Sequence, residues 1–360
     1  MSDQTGPGKL TRGKPYDSQP PNSSILQDGL NESELLREQA HTYLHSGQWA
    51  EAGRAFSGLL DIDLEDEDAL EGLGQALEKL DDFQALLDIT SEIAEANPGS
   101  SLALALKARA LQKLDRLSEA TIANDQALLL NTNLALAWFN RSGQQVLAGH
   151  YEEALRCAER AIELDPADAR VWANKSNALN YLNRFGEALE AINQSIARDP
   201  DYLFALLAKG ELLRKFGRLE EAEQVARRAL EIEPDNGAAF SILAFALRGL
   251  GQFEQLLPVT DKLVRISPDY LFGWDSRTSA LRGLGRFEEA LESIEHVLDT
   301  DPTIVRYHMI KADTLYRLGR YREAVNAAEL AIQIDDEYPP ALRIYEKATR
   351  ALYQHKRKKK

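Results

Sequence analysis

Among the residues able to do chemistry, three arginines share one interval: Arg214, Arg248 and Arg282 follow one another at steps of 34. Lys215 and Arg317 join them, and Phe204, Leu207, Phe245 and Phe272 are interleaved. A guanidinium fork pairs bidentately with a carboxylate, and an aromatic ring adds contact area with few torsions to freeze. The set therefore suits an acidic or carboxylate-ended segment. Local pairing competes for these cations. Glu211 lies three residues before Arg214 and Asp313 four before Arg317, spacings that favour ion pairs along one helix, whereas Arg248 and Arg282 have no such local acid. Upstream the chemistry changes to amides, with Phe139, Asn140, Asn174, Asn177, Asn180 and Tyr181. Asparagine competes with the backbone for hydrogen bonds, so Asn174, Asn177 and Asn180 in one helical stretch imply either a solvated polar face or a use. A side-chain amide offers a bound peptide backbone both a donor and an acceptor.

Bond-breaking chemistry has no footing here. The sequence holds no GxxxxGK[ST] loop, no HExxH helix and no Cys/His ligand spacing, and His41, His45, His150, His296, His308 and His355 are scattered. GLGQF and GLGRF follow no strand and read as turns. No catalytic residue, metal ligand or cofactor is expected. The single cysteine, Cys157, cannot form an internal disulfide and reads as a small core side chain in a reducing compartment. No apolar run approaches the roughly 18 residues that span a bilayer, and MSDQTGPGKLTRGKPYDSQPPNSS lacks a secretory apolar stretch, so the expectation is a cytoplasmic protein off the membrane. The net charge is −15 even with the basic HKRKKK block, which disfavours nucleic acid as a partner.

The elements that position these residues follow from the same interval. AIELDP, SIARDP, ALEIEP, LVRISP and VLDTDP end in Pro166, Pro200, Pro234, Pro268 and Pro302. Each proline stops a helix, since it lacks the N–H and restricts the residue before it. Within a unit, Trp172, Ser176 and Leu179 recur as Trp138, Ser142 and Gln145, as Phe240, Ala244 and Leu247, and as Trp274, Thr278 and Leu281, one face of a first helix. A turn column follows, of Gly149, Asn183, Gly217, Gly251, Gly285 and Gly319. A second helix begins beside an aromatic or leucine and carries Ala154, Ala188, Ala222, Ala290 or Ala324, small enough for close helix approach. Leu86 and Leu256 replace that alanine in two units, and Pro258, which kinks a second helix or delays its start, predicts a change in the curvature of the stacked helices near residue 258. The columns of Trp138, Trp172 and Trp274 and of Lys107, Arg141, Lys175, Lys209, Arg277 and Lys311 read as core and as packed stems with solvated heads.

At this period these columns resemble the tetratricopeptide repeat family. The resemblance implies an all-α fold, a right-handed superhelical solenoid of about nine helix-turn-helix units over residues 33–336. A capping helix at 337–354, striped with Ala341, Leu342, Tyr345, Ala348 and Leu352, closes it. Residues 1–32 read as a disordered arm and 355–360 as a basic tail. The resemblance also places the arginine, aromatic and asparagine residues named above in a concave groove lined by the first helices, and implies a non-enzymatic scaffold that binds a peptide segment of a partner protein there. The alternative is an accessory subunit that recognises substrate for a modifying enzyme such as a glycosyltransferase. The carboxylate clamp with which some relatives grip chaperone tails needs a lysine in a column that here reads Arg37, Glu71, Ala105, Phe139, Ala173, Leu207, Ser241, Asp275 and Met309, so that mode is not expected.

Overall fold

A computed structural model describes residues 32–358 and places them in nineteen helices, with no strand among the described residues. The residues of the expected arm before position 32, and Lys359 and Lys360 of the basic tail, lie outside the described part. The chain divides into two compact units, Met1–Arg198 and Asp199–Lys360. The first contains α1 (Glu32–His45), α2 (Trp49–Ile62), α3 (Glu67–Lys79), α4 (Phe83–Ala96), α5 (Ser101–Lys113), α6 (Leu117–Leu130), α7 (Ala135–Leu147), α8 (Tyr151–Leu164), α9 (Ala169–Tyr181) and α10 (Phe185–Arg198). The second contains α11 (Leu203–Phe216), α12 (Leu219–Ile232), α13 (Gly237–Gly249), α14 (Phe253–Ile266), α15 (Leu271–Gly283), α16 (Phe287–Thr300), α17 (Val305–Arg317), α18 (Tyr321–Ile334) and α19 (Pro339–Lys358). Each unit is a stack of helical hairpins. Odd-numbered helices pack side by side in one layer and even-numbered helices back them, the arrangement of an all-α repeat solenoid.

Each hairpin turns on one residue with positive φ: Gly47, Asp81, Asp115, Gly149, Asn183, Gly217, Gly251, Gly285 and Gly319, all 34 residues apart. Only glycine, or a short polar residue able to bond locally, takes that conformation cheaply, which fixes the composition of the column. The loop between hairpins has its own rule. An Asp or Asn ends the second helix in an extended conformation and accepts the N–H two residues on, as in Asp63 to Glu65, Asn131 to Asn133, Asp165 to Ala167 and Asp301 to Thr303. Proline fits between the two because its missing N–H is not needed there and its neighbour must be extended.

Packing repeats with the same period. The column of Ala52, Leu86, Ala120, Ala154, Ala188, Ala222, Leu256, Ala290 and Ala324 is fully buried throughout. Ser142 and Ser176 donate their hydroxyls to the carbonyls of Ala154 and Ala188, tying the two helices of a hairpin. The indole N–H of Trp138, Trp172 and Trp274 reaches the carbonyl six residues back, at 2.8, 3.0 and 2.8 Å, and His308 Nε2 does the same with Pro302. Large first-helix residues thus fasten the loop that precedes them. The column read as packed cationic stems has specific partners, since Arg141, Lys175, Arg277 and Lys311 each pair with an acid sixteen residues earlier, on Asp125, Glu159, Asp261 and Glu295.

Two local expectations are refined. Helix α14 runs through Pro258 at its sixth residue, beyond the first turn where proline is best tolerated. Helix α19 continues to Lys358 and takes in most of the block read as a tail. Its buried residues include Ala341, Ile344 and Ala348, while Leu342 is exposed, so the covering face is rotated from the stripe read in the sequence.

Candidate functional site

In the first unit the face of the odd-numbered helices curls inward. Glu78 of α3 accepts from Arg109 of α5 at 3.3 Å and from Arg170 of α9 at 3.2 Å, although 92 residues separate Glu78 from Arg170. The two guanidiniums hold the Phe139 ring between them, 4.9 and 5.1 Å from its centroid. Phe139 is therefore buried, and Asn140 is buried beside it. The Asn140 amide donates to the Ala105 carbonyl at 2.8 Å, and that of Asn174 to the Phe139 carbonyl at 3.2 Å. These amides join successive first helices, and Phe139 and Asn140 do not line an accessible surface. Asn177 and Asn180 are half-buried, and Tyr181 is exposed and stacks on Tyr151 with ring centroids 4.6 Å apart.

The accessible groove of this unit, about 390 Å³, lies instead against Glu67, Asp68, Glu71, Glu78, Asp165 and Asp168. Arg170 is the one cation in its lining, and it pairs with both Glu78 and Asp168. At its edge Arg37 pairs with Asp66 and Asp68, and its hydrogen bond holds the Asp66 carboxyl below the usual aspartate range. An acidic ligand finds no unpaired cation in this lining. Sequence reading missed this because the carboxylates come from α3 and from the loop between α8 and α9, about 90 residues further along the chain.

The second unit has the opposite character. Arg214 on α11 pairs with Glu211 at 2.8 Å and lies 5.4 Å from the Phe245 centroid. Arg248 on α13 lies 5.1 Å from the Phe272 centroid and donates to Asp275 at 2.7 Å. Arg282 on α15 reaches Asp313 at 2.5 Å. Arg248 and Arg282, which have no acid along their own helices, are thus served by the next hairpin, 27 and 31 residues on. Asp275 also accepts from Arg306 at 3.1 Å and from the Tyr307 hydroxyl at 2.8 Å, and Asp313 also accepts from Arg317 at 3.0 Å. Five guanidiniums share three carboxylates. Burial works to raise the Asp313 carboxyl, but the hydrogen bonds and charges of Arg317 and Arg282 outweigh it and hold the group below its ordinary value. Burial and the Asp275 charge push the Tyr307 phenol up, so it stays a donor.

The cationic character continues onto the cap. Tyr316, Arg343, Lys347 and Arg350 line a recess with Glu346, and the Lys347 ammonium lies 4.3 Å from the Tyr316 ring centroid. Arg343, Lys347 and Arg350 form no ion pair among the described residues. Phe204 is exposed, and Leu207, Phe245 and Phe272 are half-buried. Of the sequence-predicted residues, Arg214 and Arg248 lie against Phe245 and Phe272, whereas Asn140 and Asn174 bond between helices.

No cluster of three or more His, Cys, Asp or Glu side chains suited to a metal occurs among the described residues, and no described helix is long and apolar enough to cross a membrane. Cys157 is buried, and burial together with Glu153 pushes its thiol up to about 11.

Comparison with known proteins agrees with this architecture. Residues 147–201, 174–238 and 279–341 match the sequence model of the tetratricopeptide repeat. No curated protein matches the sequence significantly. The Cut9–Hcn1 hetero-tetramer of the APC/C is similar at a TM-score of 0.54 and 12% identity, over 91% of this chain and 78% of that one. YrrB, described as a repeat protein of this class with an unusual peptide-binding site, is 21% identical over 52% of this chain and 97% of its own, with a TM-score of 0.43. A tetratricopeptide repeat protein from Parabacteroides merdae is 17% identical over 69% of this chain and 99% of its own, at 0.45. With nine hairpins on one 34-residue period among the described residues and matches to the repeat in both units, the chain carries tetratricopeptide repeats in an all-α repeat fold.

Proposed function

We propose that the odd-helix face of residues 199–358 holds an extended acidic segment of a partner protein. The observation that carries this reading is the imbalance between five guanidiniums and three carboxylates, on a protein whose net charge is −15. The carboxylates hold the arginines in place at little cost in surplus charge. Asp275 and Asp313 each serve two guanidiniums, so N–H groups remain for a ligand carboxylate that arrives along the row. Phe204, Phe245 and Phe272 supply apolar area between the charges, and Arg343, Lys347 and Arg350 extend the row across the cap. The chain acts by holding its partner and supplies no bond-breaking chemistry.

Arg306 and Arg317 are the test. Each is about half exposed, and each is the second cation on its carboxylate. Arg306→Gln with Arg317→Gln removes the surplus while Arg248, Tyr307 and Arg282 continue to satisfy Asp275 and Asp313. Capture of an acidic peptide should fall at least ten-fold with the thermal melt nearly unchanged. It should also weaken with salt, since the screening length drops to about 3 Å at 1 M. Undiminished binding by the double variant would remove the arginine row from the site. The accessory-subunit reading would gain from affinity purification that returned one modifying enzyme as a constant companion.

A further inference from the structure

The hairpin in the middle of that face breaks its own pattern. The flanking hairpins begin their first helices with the same residues, Tyr202-Leu203-Phe204 and Tyr270-Leu271-Phe272, with the two rings 5.9 and 5.7 Å apart in each. In register between them stand Asn236, Gly237 and Ala238. The lost bulk leaves a notch of about 320 Å³, lined by Gly237, Ala238, Ser241, Leu263, Ser267 and Tyr270, with Glu211 at its rim. Tyr270 is exposed and its hydroxyl lies 3.1 Å from that of Ser241, while Leu263 is buried beneath. Glu211 is the carboxylate already bound by Arg214.

Folding does not account for Gly237. Gly237 is the first residue of α13, its φ is not in the left-handed range, and a Cβ built on it would meet Ser267 Oγ at 3.7 Å and Ile266 Cγ2 at 3.8 Å, both ordinary contacts. Glycine at that position gives up helix propensity for nothing the backbone needs. Gly210 and Gly72 contrast with it, since a Cβ at either would strike the neighbouring Ile242 or Phe56 side chain.

We infer that this notch receives an aromatic side chain of the acidic segment proposed above, stacked on Tyr270 and seated over Gly237 and Ala238. The inference rests on that reading and adds a rule to it: the arginine row selects charge, and the notch sets where along the segment one ring must fall. Ser241 and Ser267 offer hydroxyls to a ring that carries a polar tip. A ring buried against Leu263 and Tyr270 gains from its apolar area, and Arg248, which shares Asp275 with Arg306, meets a carboxylate next to it in the segment.

The test uses the full chain and two labelled nonapeptides of alternating glutamate and aspartate, one with phenylalanine at the centre and one with alanine. Wild type should prefer the phenylalanine peptide by roughly 10- to 100-fold. Gly237→Leu with Ala238→Phe restores the residue types that the flanking hairpins carry. It should bring the two peptides to equal affinity, while Arg306→Gln with Arg317→Gln weakens both and keeps their ratio. Should the notch-filling pair lose helicity, Ala238→Phe alone gives the same comparison. Equal binding of both peptides by wild type, or a preference that survives in the filled variant, overturns the notch and leaves the arginine row standing. If neither peptide binds wild type, the acidic-segment reading falls and the notch falls with it.

Discussion

Replacing Asp275 with alanine should destabilise the protein far more than removing an arginine from the same face. The Asp275 carboxylate is about 13% exposed and accepts from Arg248, Arg306 and the Tyr307 hydroxyl. Tyr307 is itself buried, so losing its acceptor leaves an unsatisfied hydroxyl at a cost of about 1–3 kcal/mol. Arg248 keeps partial contact with water and its place over Phe272, so its lost charge-assisted bond adds about 1 kcal/mol. Arg306, more than half exposed, returns to solvent at almost no cost. The sum is roughly 2–4 kcal/mol. Arg214→Ala breaks a pair whose side chains are 41% and 46% exposed and should cost no more than about 1 kcal/mol. Tyr307→Phe isolates the hydroxyl and should fall between the two. Urea unfolding of the full-length variants, followed by circular dichroism at constant salt and pH, gives the comparison directly. A shift for Asp275→Ala no larger than that for Arg214→Ala would mean that the carboxylate is not a structural centre and that the burial argument is wrong.

Acid should reveal the Asp313 pair. Its carboxyl lies below the ordinary value in the folded chain, so the unfolded chain takes up the proton first as pH falls. The stabilisation is whole above about pH 4 and is lost as pH drops through the folded value, so the gap in melting temperature between wild type and Asp313→Asn should close over that range. A gap that stayed constant from neutral pH into acid would refute the linkage. Glycines should divide by their surroundings. A Cβ on Gly72 would lie 2.3 Å from the Phe56 ring, so Gly72→Ala should cost about 1–3 kcal/mol, whereas Gly237→Ala should leave thermal stability unchanged or raise it by up to about 1 kcal/mol. Equal melting temperatures for the two variants would contradict the packing.

What lay open in the sequence is what a hairpin settles within itself. Proline after a helix-ending aspartate, a left-handed turn residue and a small residue opposite the first helix each solve a local steric or hydrogen-bonding problem. They therefore recur wherever the problem recurs, and Asp81, Asp115 and Leu86 fill their columns without matching the commonest residue type. Contacts between hairpins were harder to see. Asn140 looked available because its column faces inward by resemblance, yet its amide is committed to Ala105, 35 residues back, and Phe139 is enclosed by guanidiniums from two other hairpins. Arg248 looked unpaired because helix-spacing rules reach only four residues, whereas its acid comes 27 residues later.

The same gap in reach bears on function. Counted along the chain, Arg214 and Arg317 appear as local pairs and Arg248 and Arg282 as unpaired. Counted in space, Asp275 and Asp313 are shared, and the unshared remainder is what an acidic segment would meet. Sharing also explains why the row can be both ordered and receptive. An arginine with a private carboxylate is neutralised, as Arg214 is by Glu211, and one with no carboxylate is free to swing away. Two arginines on one largely buried carboxylate are each held by a bond, yet the trio keeps a net positive charge, which is what the proposed acidic segment would meet.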